Sequence, residues 1–143
     1  MWYLVQTDQF SFSQPIGSGG GESFVLTGEG PITSIRLWER YNSYVTGIQL
    51  RYGATWSQVV GYQQGTVSEL ELFKDEAVIQ ISGKCTSYVQ SVVFMTNKSR
   101  TLQVGQPRGK CFNMYAANKE ATLRIISGRF QNGFRSFAAH WNV

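Results

Sequence analysis

The sequence predicts an all-β fold, a sandwich, barrel or prism of short strands, on three observations. Apolar and polar residues alternate in run after run, as where Ile48, Leu50 and Tyr52 interleave with Gln49 and Arg51, the period-two pattern of a half-buried strand. Turn chemistry breaks these runs at short intervals, at Tyr52-Gly53-Ala54, Gln64-Gly65-Thr66, Asn97-Lys98-Ser99 and Pro107-Arg108-Gly109. No stretch carries a helical period, and 15 glycines with only 15% charged residues favour strands further.

At the start, Met1 to Val5 is too short an apolar run for a signal peptide, and Gln6 to Gln9 ends it. The chain reads as a mature protein with an added Met or as one that stays inside cells. No window approaches the roughly 18 apolar residues of a membrane-spanning helix. After Pro15, the run Gly17-Ser18-Gly19-Gly20-Gly21 lies between aromatic flanks at Phe10, Phe12 and Phe24. A glycine loop held between strands brings backbone N–H groups close to a ligand. It is not a Walker-type phosphate loop, because no Gly-Lys-Ser or Gly-Lys-Thr follows.

Strand follows strand from Pro31. Ile35 and Leu37 share a face, Leu70 and Leu72 alternate with Glu69 and Glu71, and Ala77, Ile79 and Ile81 alternate with Val78 and Gln80. Val89 to Thr96 is a longer apolar run, as expected of a strand covered on both faces. Leu102 with Val104, Leu123 with Ile125, and Phe137, Ala139 and Trp141 complete the set. Similar strand lengths and recurring glycines hint at threefold internal repetition. The 143 residues read as one domain, 1–143, long enough to bury about two thirds of its unfolded surface.

Catalytic chemistry is sparse. His140, the sole histidine, falls on the outward parity if Phe137, Ala139 and Trp141 face in, a place for a surface or hydrogen-bonded imidazole. One His and two Cys give no metal-site spacing, and no cofactor motif appears. Glu69 and Glu71 share a strand face as a glycosidase pair would, but a solvated face opposite Leu70 and Leu72 explains them better, and the turn residues Asp75 and Glu76 read the same way. The net charge of +4 comes from scattered basic residues without an RNA-binding aromatic signature, which argues against nucleic acid. Cys85 and Cys111 make either one accessory disulfide or two buried thiols. Asn97-Lys98-Ser99 is a glycosylation acceptor pattern, usable in a secretory pathway.

Binding features stand out more. Gly19 to Gly21, Gly83 to Tyr88, and Arg129 to Arg135 are three polar connections between strong strands. Tyr88, Phe130 and Phe134 are candidates to stack on a sugar's apolar face, and Asn132 to bond its hydroxyls. Aromatics packing their own loops are the competing explanation.

The stretches GPITSIRLWERYNSYVTGIQLRYG, IQISGKCTSYVQSVVFMTNKSRTLQVG and LRIISGRFQNGFRSFAAHWNV resemble vertebrate jacalin-related lectins of the zymogen granule protein 16 type. The likeness runs from about Gly17 to Val143 and includes the glycine loop and the terminal His140-Trp141. It implies a β-prism of three four-stranded Greek-key sheets with pseudo-threefold symmetry. It also implies a secreted or granule-associated, non-enzymatic domain, a monomer or weak homodimer that binds glycans or glycoproteins. The resemblance places the ligand contacts on Gly20 and Gly21 of the glycine loop and on Lys84, Thr86 and Tyr88 of the recognition loop. The binding loop supplies Gln131, Asn132, Gly133, Phe134 and Arg135.

One departure changes the expected chemistry. The family's binding loop reads Gly-x-x-x-Asp, its aspartate accepting hydrogen bonds from sugar hydroxyls, and the corresponding residues here are Gln131 and Arg135. Arginine accepts no hydrogen bond and stays charged, so mannose binding is expected to be weak or absent. Either Arg135, with Lys84 and Arg129, takes a sulfated or sialylated glycan, or the sugar site is lost and the prism serves as a protein-interaction or structural component. Glu22, beside the glycine loop in place of a basic residue, weighs against the first reading.

Overall fold

The computed structural model describes residues 11–12, 16–17, 19–40 and 43–142. Met1 to Phe10, Pro15 and Ser18 of the sequence reading lie outside them. The chain begins with β1 (Ser11–Phe12), β2 (Ile16–Gly17) and β3 (Glu22–Leu26). A second group follows: β4 (Ile32–Glu39), β5 (Val45–Tyr52), β6 (Thr55–Trp56), β7 (Val60–Gly61) and β8 (Thr66–Glu71). The third comprises β9 (Val78–Cys85), β10 (Val89–Thr96), β11 (Thr101–Gly105) and β12 (Lys110–Tyr115), and the chain closes with β13 (Thr122–Phe130) and β14 (Phe134–Asn142).

These strands form three antiparallel sheets. One runs β11-β10-β9-β12, a meander whose fourth strand returns beside the first, which is Greek-key order. Another runs β6-β5-β4-β8 with β7 also on β5, and the last runs β1-β14-β13-β3 with β2 also on β14. In each of these two the outer strand is split into two short pieces, so the expected four-stranded plan holds. The sheets pack as a β-prism around one shared core, to which they contribute residues such as Ile126 and Phe137, Ile35 and Ile48, and Val92 and Phe94.

Alternation predicts the core-facing residues well where the ladder is regular, as from Ile48 to Leu50 in β5 and from Leu102 to Val104 in β11, and fails where a bulge intervenes. On β9, Thr96 pairs Val78 and Met95 pairs Gln80, so Ile79 is an extra residue. The bulge flips the phase, burying Val78 and Ile81 and leaving Ala77 and Ile79 half-buried, contrary to the expected Ala77, Ile79 and Ile81 face. On β13, Trp141 pairs Leu123 and His140 pairs Ile125, which makes Arg124 the bulged residue. Leu123 and Ile126 are therefore buried and Ile125 is not. β10 is covered fully on one face only: Val92, Phe94 and Thr96 are buried, Val93 and Met95 half-buried. His140 is half-buried with Nε2 3.1 Å from Ser127 Oγ, and burial holds its pKa below the ordinary imidazole value.

Side-chain ties join the sheets. Asp75 is exposed as expected, but Glu76, also read as solvated, is only 5% exposed. Its carboxylate accepts from Thr96 Oγ1 at 2.6 Å, Arg100 Nε at 2.9 Å, Arg100 Nη2 at 2.5 Å and the Phe73 N–H at 2.9 Å. Arg100 also donates to the Glu71 carbonyl at 2.8 Å and lies 4.0 Å above the Phe73 ring. This network pins the end of β8 to the β10–β11 turn. On another edge, Tyr52 Oη lies 3.1 Å from the Leu26 carbonyl and 2.5 Å from that of Arg124, and burial pushes its phenol pKa up.

The cysteines correct one expectation: both are free. Cys85 pairs Lys110 and Cys111 pairs Lys84, so the thiols sit one step out of register and point to opposite sheet faces, an arrangement no disulfide spans. Cys85 packs on the core and Cys111 is exposed. Asn97, in the β10–β11 turn, is exposed, with Oδ1 accepting from the Ala77 N–H at 3.2 Å.

Two outcomes follow from these contacts. Hydrogen bonds from Arg100 hold Glu76 at a pKa of about 2, against an ordinary 4.5. Its contribution to stability is therefore full above about pH 4.5 and is lost as pH falls toward 2. Thermal melts should show the midpoint falling through that window, and Glu76→Gln should lower the neutral-pH midpoint while flattening the acid slope. Thiol titration should count two free cysteines, Cys111 reacting first, because burial raises the Cys85 pKa and shields its sulfur.

Candidate functional site

The site lies at the prism end where the β9–β10 and β13–β14 hairpins turn. The connections are tighter than the sequence suggests: Lys84 and Cys85 belong to β9, Arg129 and Phe130 to β13, and Phe134 and Arg135 to β14. Only 86–88 and 131–133 are free of the ladders. Long basic side chains on a strand's solvent side made these ends look like loop. The β13–β14 turn closes with the Gln131 N–H donating to the Gly133 carbonyl at 2.9 Å. Asn132 takes φ 64° there, a left-handed conformation asparagine tolerates.

Gly133 is buried, and a Cβ on it would stand 2.8 Å from the Tyr44 ring and 2.9 Å from that of Tyr88. The turn thus rests on this tyrosine pair, stacked at 4.7 Å and 24°. Beside it Arg135 is half-buried, its guanidinium 5.3 Å from the Tyr88 ring centroid. The Arg135 Nε is shielded from solvent and has no partner among the described residues. On its other flank lies Gly20, where an added Cβ would stand in ordinary contact with Arg135 Nη2, at 3.8 Å. The glycine loop is held close by Arg129, whose Nη1 donates to the Gly21 carbonyl at 2.9 Å. Gly20, Gly21, Tyr88, Asn132 and Arg135 are therefore brought together at this end.

Other expected contacts are not. Phe134 is fully buried, edge-on to Phe24 at 5.6 Å and Phe130 at 5.0 Å; it is core, with no face for a ligand. Phe130 is half-buried and meets Tyr62 edge-on at 5.4 Å. Lys84 pairs Ser91 and Cys111 within the sheet, and Thr86 accepts from Gln90 Nε2 at 3.0 Å; neither lines the cavity at this end. Gln131 is exposed at the tip.

That cavity, of about 710 Å³, is walled by Tyr44, Tyr62, Tyr88, Arg40, Gln64 and Asn132. Four of these, Arg40, Tyr44, Tyr62 and Gln64, come from connections of the β4–β8 sheet and were missed in the sequence. The available signal was Gly61-Tyr62-Gln63-Gln64-Gly65, a tyrosine between two glycines both at positive φ, which reads as a turn and nothing more. The remaining acidic candidates are structural: Glu69 bonds Arg36 at 2.8 Å and Glu71 lies 3.4 Å from Arg51. Among the described residues no three His, Cys, Asp or Glu side chains converge as metal ligands, and no helix is long and apolar enough to cross a membrane.

This geometry agrees with the comparisons to known proteins. A jacalin-like lectin domain matches residues 13–140. The chain belongs to the jacalin-like lectin family. It is 40% identical over 143 residues to zymogen granule membrane protein 16 of Rattus norvegicus, a match spanning 97% of this chain and 84% of that protein. The structure of a prostate-specific WGA16 glycoprotein lectin superposes with a TM-score of 0.81 at 29% identity, over 92% of this chain and 98% of that one. A mannose binding lectin from Champedak shares the fold, with a TM-score of 0.77 at 22% identity over 94% and 98% of the two chains. The family match and the superpositions bear out the family and the β-prism expected from the sequence, and at family level they support carbohydrate binding.

Two substitutions separate the core from the rim of this end. Phe134→Ala should cost about 3–5 kcal/mol, as for a buried aromatic in a packed cluster, measured by denaturant unfolding. Gly133→Ala should displace the Tyr44–Tyr88 pair and change near-ultraviolet circular dichroism, with the far-ultraviolet strand signal kept.

Proposed function

We propose that residues 1–143 act as a single carbohydrate-binding domain whose loop end takes glycans bearing an anionic group in preference to neutral mannose. The observation that carries this reading is Arg135. Its guanidinium stands where the family pattern has a carboxylate, half-buried, with a shielded and unpartnered Nε–H. A guanidinium offers five N–H donors in a planar fork, suited to the two oxygens of a sialic acid carboxylate, a uronate or a sulfate. A hexose hydroxyl pair that needs an acceptor finds none in it.

The surroundings support the same ligand class. Arg40 puts a cation on the wall of the neighbouring cavity, and three tyrosines there give faces for a sugar ring. Arg129 acts at one remove, holding the glycine loop rather than the ligand. The domain works without cofactor or metal, secreted or in a secretory granule, where exposed Asn97 serves as a glycan acceptor. A second reading, loss of sugar binding in favour of a protein contact, is favoured by one observation: Tyr88 already stacks on Tyr44 and so has one face fewer to offer.

A glycan array tests both. Wild-type protein should bind sulfated or sialylated probes in a salt-sensitive way and mannose little. Arg135→Ala should weaken the anionic probes by about ten- to a hundredfold, the value of a charged hydrogen bond of about 1.5–3 kcal/mol. Arg135→Asp should raise mannose binding. Strong mannose binding by the wild type would overturn the proposal, and a silent array with a saturable protein partner would establish the second reading.

A further inference from the structure

The loop end repeats itself around the prism. Ile16-Gly17, Val60-Gly61 and Val104-Gly105 recur at one fixed interval, and Gly21, Gly65 and Gly109 recur at the same interval, the mark of an internal repeat. The three stretches play one role in the fold. Gly17 pairs Ser136, Gly61 pairs Gly47 and Gly105 pairs Ser91. A Cβ at Gly21, Gly65 or Gly109 would collide with the carbonyl of Phe130, Glu39 or Cys85, the last residue of β13, β4 or β9 respectively. Gly65 and Gly109 therefore hold their turns against a sheet as Gly21 holds the glycine loop. The surroundings differ. The first turn adjoins Arg135. The third is closed by the protein itself, since Glu39 accepts from the Gly105 N–H at 3.2 Å and from Gln106 Nε2 at 2.8 Å. The second, 61–65, opens on the cavity of about 710 Å³.

From this we infer that the 61–65 turn is a second glycine loop, and that its cavity is a saccharide site of its own, for a neutral pyranose ring with an apolar face, such as a galactoside. Its contacts lie at the surface: Tyr62 is 45% exposed, and Gln64 and Asn132 are exposed too. Phe130 meets Tyr62 edge-on at 5.4 Å and so steadies a ring that lines the cavity. An aromatic face attracts C–H bonds through its quadrupole. Galactose gathers the C3, C4 and C5 hydrogens on one side of its ring, whereas mannose turns the C4 hydrogen to the other. The Gln64 and Asn132 amides each offer an acceptor and two donors, which suits hydroxyls that both donate and accept. Among the described residues no carboxylate lines the cavity, so a cation finds no partner there. Arg40 is exposed and gains little from an anion across water. The site adjoins Arg135 through Tyr88 and Asn132 but needs no charge from it, and it stands whether or not Arg135 takes an anion.

The test is an NMR titration of the ¹⁵N-labelled full chain with methyl β-galactopyranoside, methyl α-mannopyranoside and N-acetylneuraminic acid in turn. The Gly61, Gln64 and Gly65 amides should shift along a saturable curve with the galactoside, tighter than with the mannoside, and should still do so in Arg135→Ala. Tyr62→Ala should weaken that curve about fivefold, as for a lost ring contact. Gln64→Ala, an independent variant read at Gly61 and Gly65, should weaken it about threefold, with spectral dispersion retained in both. Galactoside shifts confined to Gly20, Gly21 and 131–133 would overturn this inference and place the sugar at the Arg135 site. A mannoside curve as tight as the galactoside curve, tighter binding of N-acetylneuraminic acid at 61–65, or no saturable response there would also overturn it.

Discussion

Two glycines set the geometry on which the loop end depends. Gly83 and Gly128 each close an Ile-Ser-Gly triplet in the first strand of a hairpin, β9 and β13 respectively. A Cβ at Gly83 would collide with the Ser91 carbonyl oxygen, and one at Gly128 with that of Ser136. In both hairpins the register slips beside this approach, between Val89 and Ser91 and between Arg129 and Phe130. Close packing without a side chain, followed by a bulge, bends the strand ends. The turns then carry Tyr88 and Gly133 to the same place, where each finds the other and Tyr44. A methyl group at either glycine has no room to relax, because the obstacle is backbone.

Charge is distributed so that the flanks are neutralised and the ends are not. On the β4–β8 sheet Arg36 and Arg51 spend their charge on Glu69 and Glu71 and share Trp56 beneath them. Arg100 is consumed by Glu76. Arg40, Arg124 and Arg135 make no ion pair among the described residues, and each stands at one end or the other.

Much of the fold was legible because burial in a strand has a period of two, and β11 and the second half of β5 show it. Where the burial period misled on β9 and β13, the cause is a bulge: a single inserted residue is silent in composition yet reverses every side chain beyond it. Ile79 and Arg124 did this on β9 and β13. The site was legible by half. The hairpin residues around Arg135 and the glycine loop belong to stretches that announce themselves by glycine and by family pattern. Tyr44 and Tyr62 reach the site only through the way the sheets meet, a long-range fact. Phe134, flanked by Gly133 and Arg135, looked like loop and is core. Glu76 looked like solvent-facing turn and is a buried anchor, since a carboxylate's burial is settled by whether an arginine reaches it.

The sheet that pairs β3 with β13 joins residues as far apart as Gly21 and Arg129, 108 positions away. Synthesis therefore delivers the glycine loop well before its partner strand. Contacts of such sequence separation are the slow ones to form, and the other two sheets can assemble while one side of the core is still uncovered. A nascent chain of this kind does not assemble its glycine loop beside Arg135 until β13 and β14 have docked. Under the proposed function, recognition at the loop end is acquired only once all three sheets of the domain have closed, so that ligand binding would double as a readout of its folding.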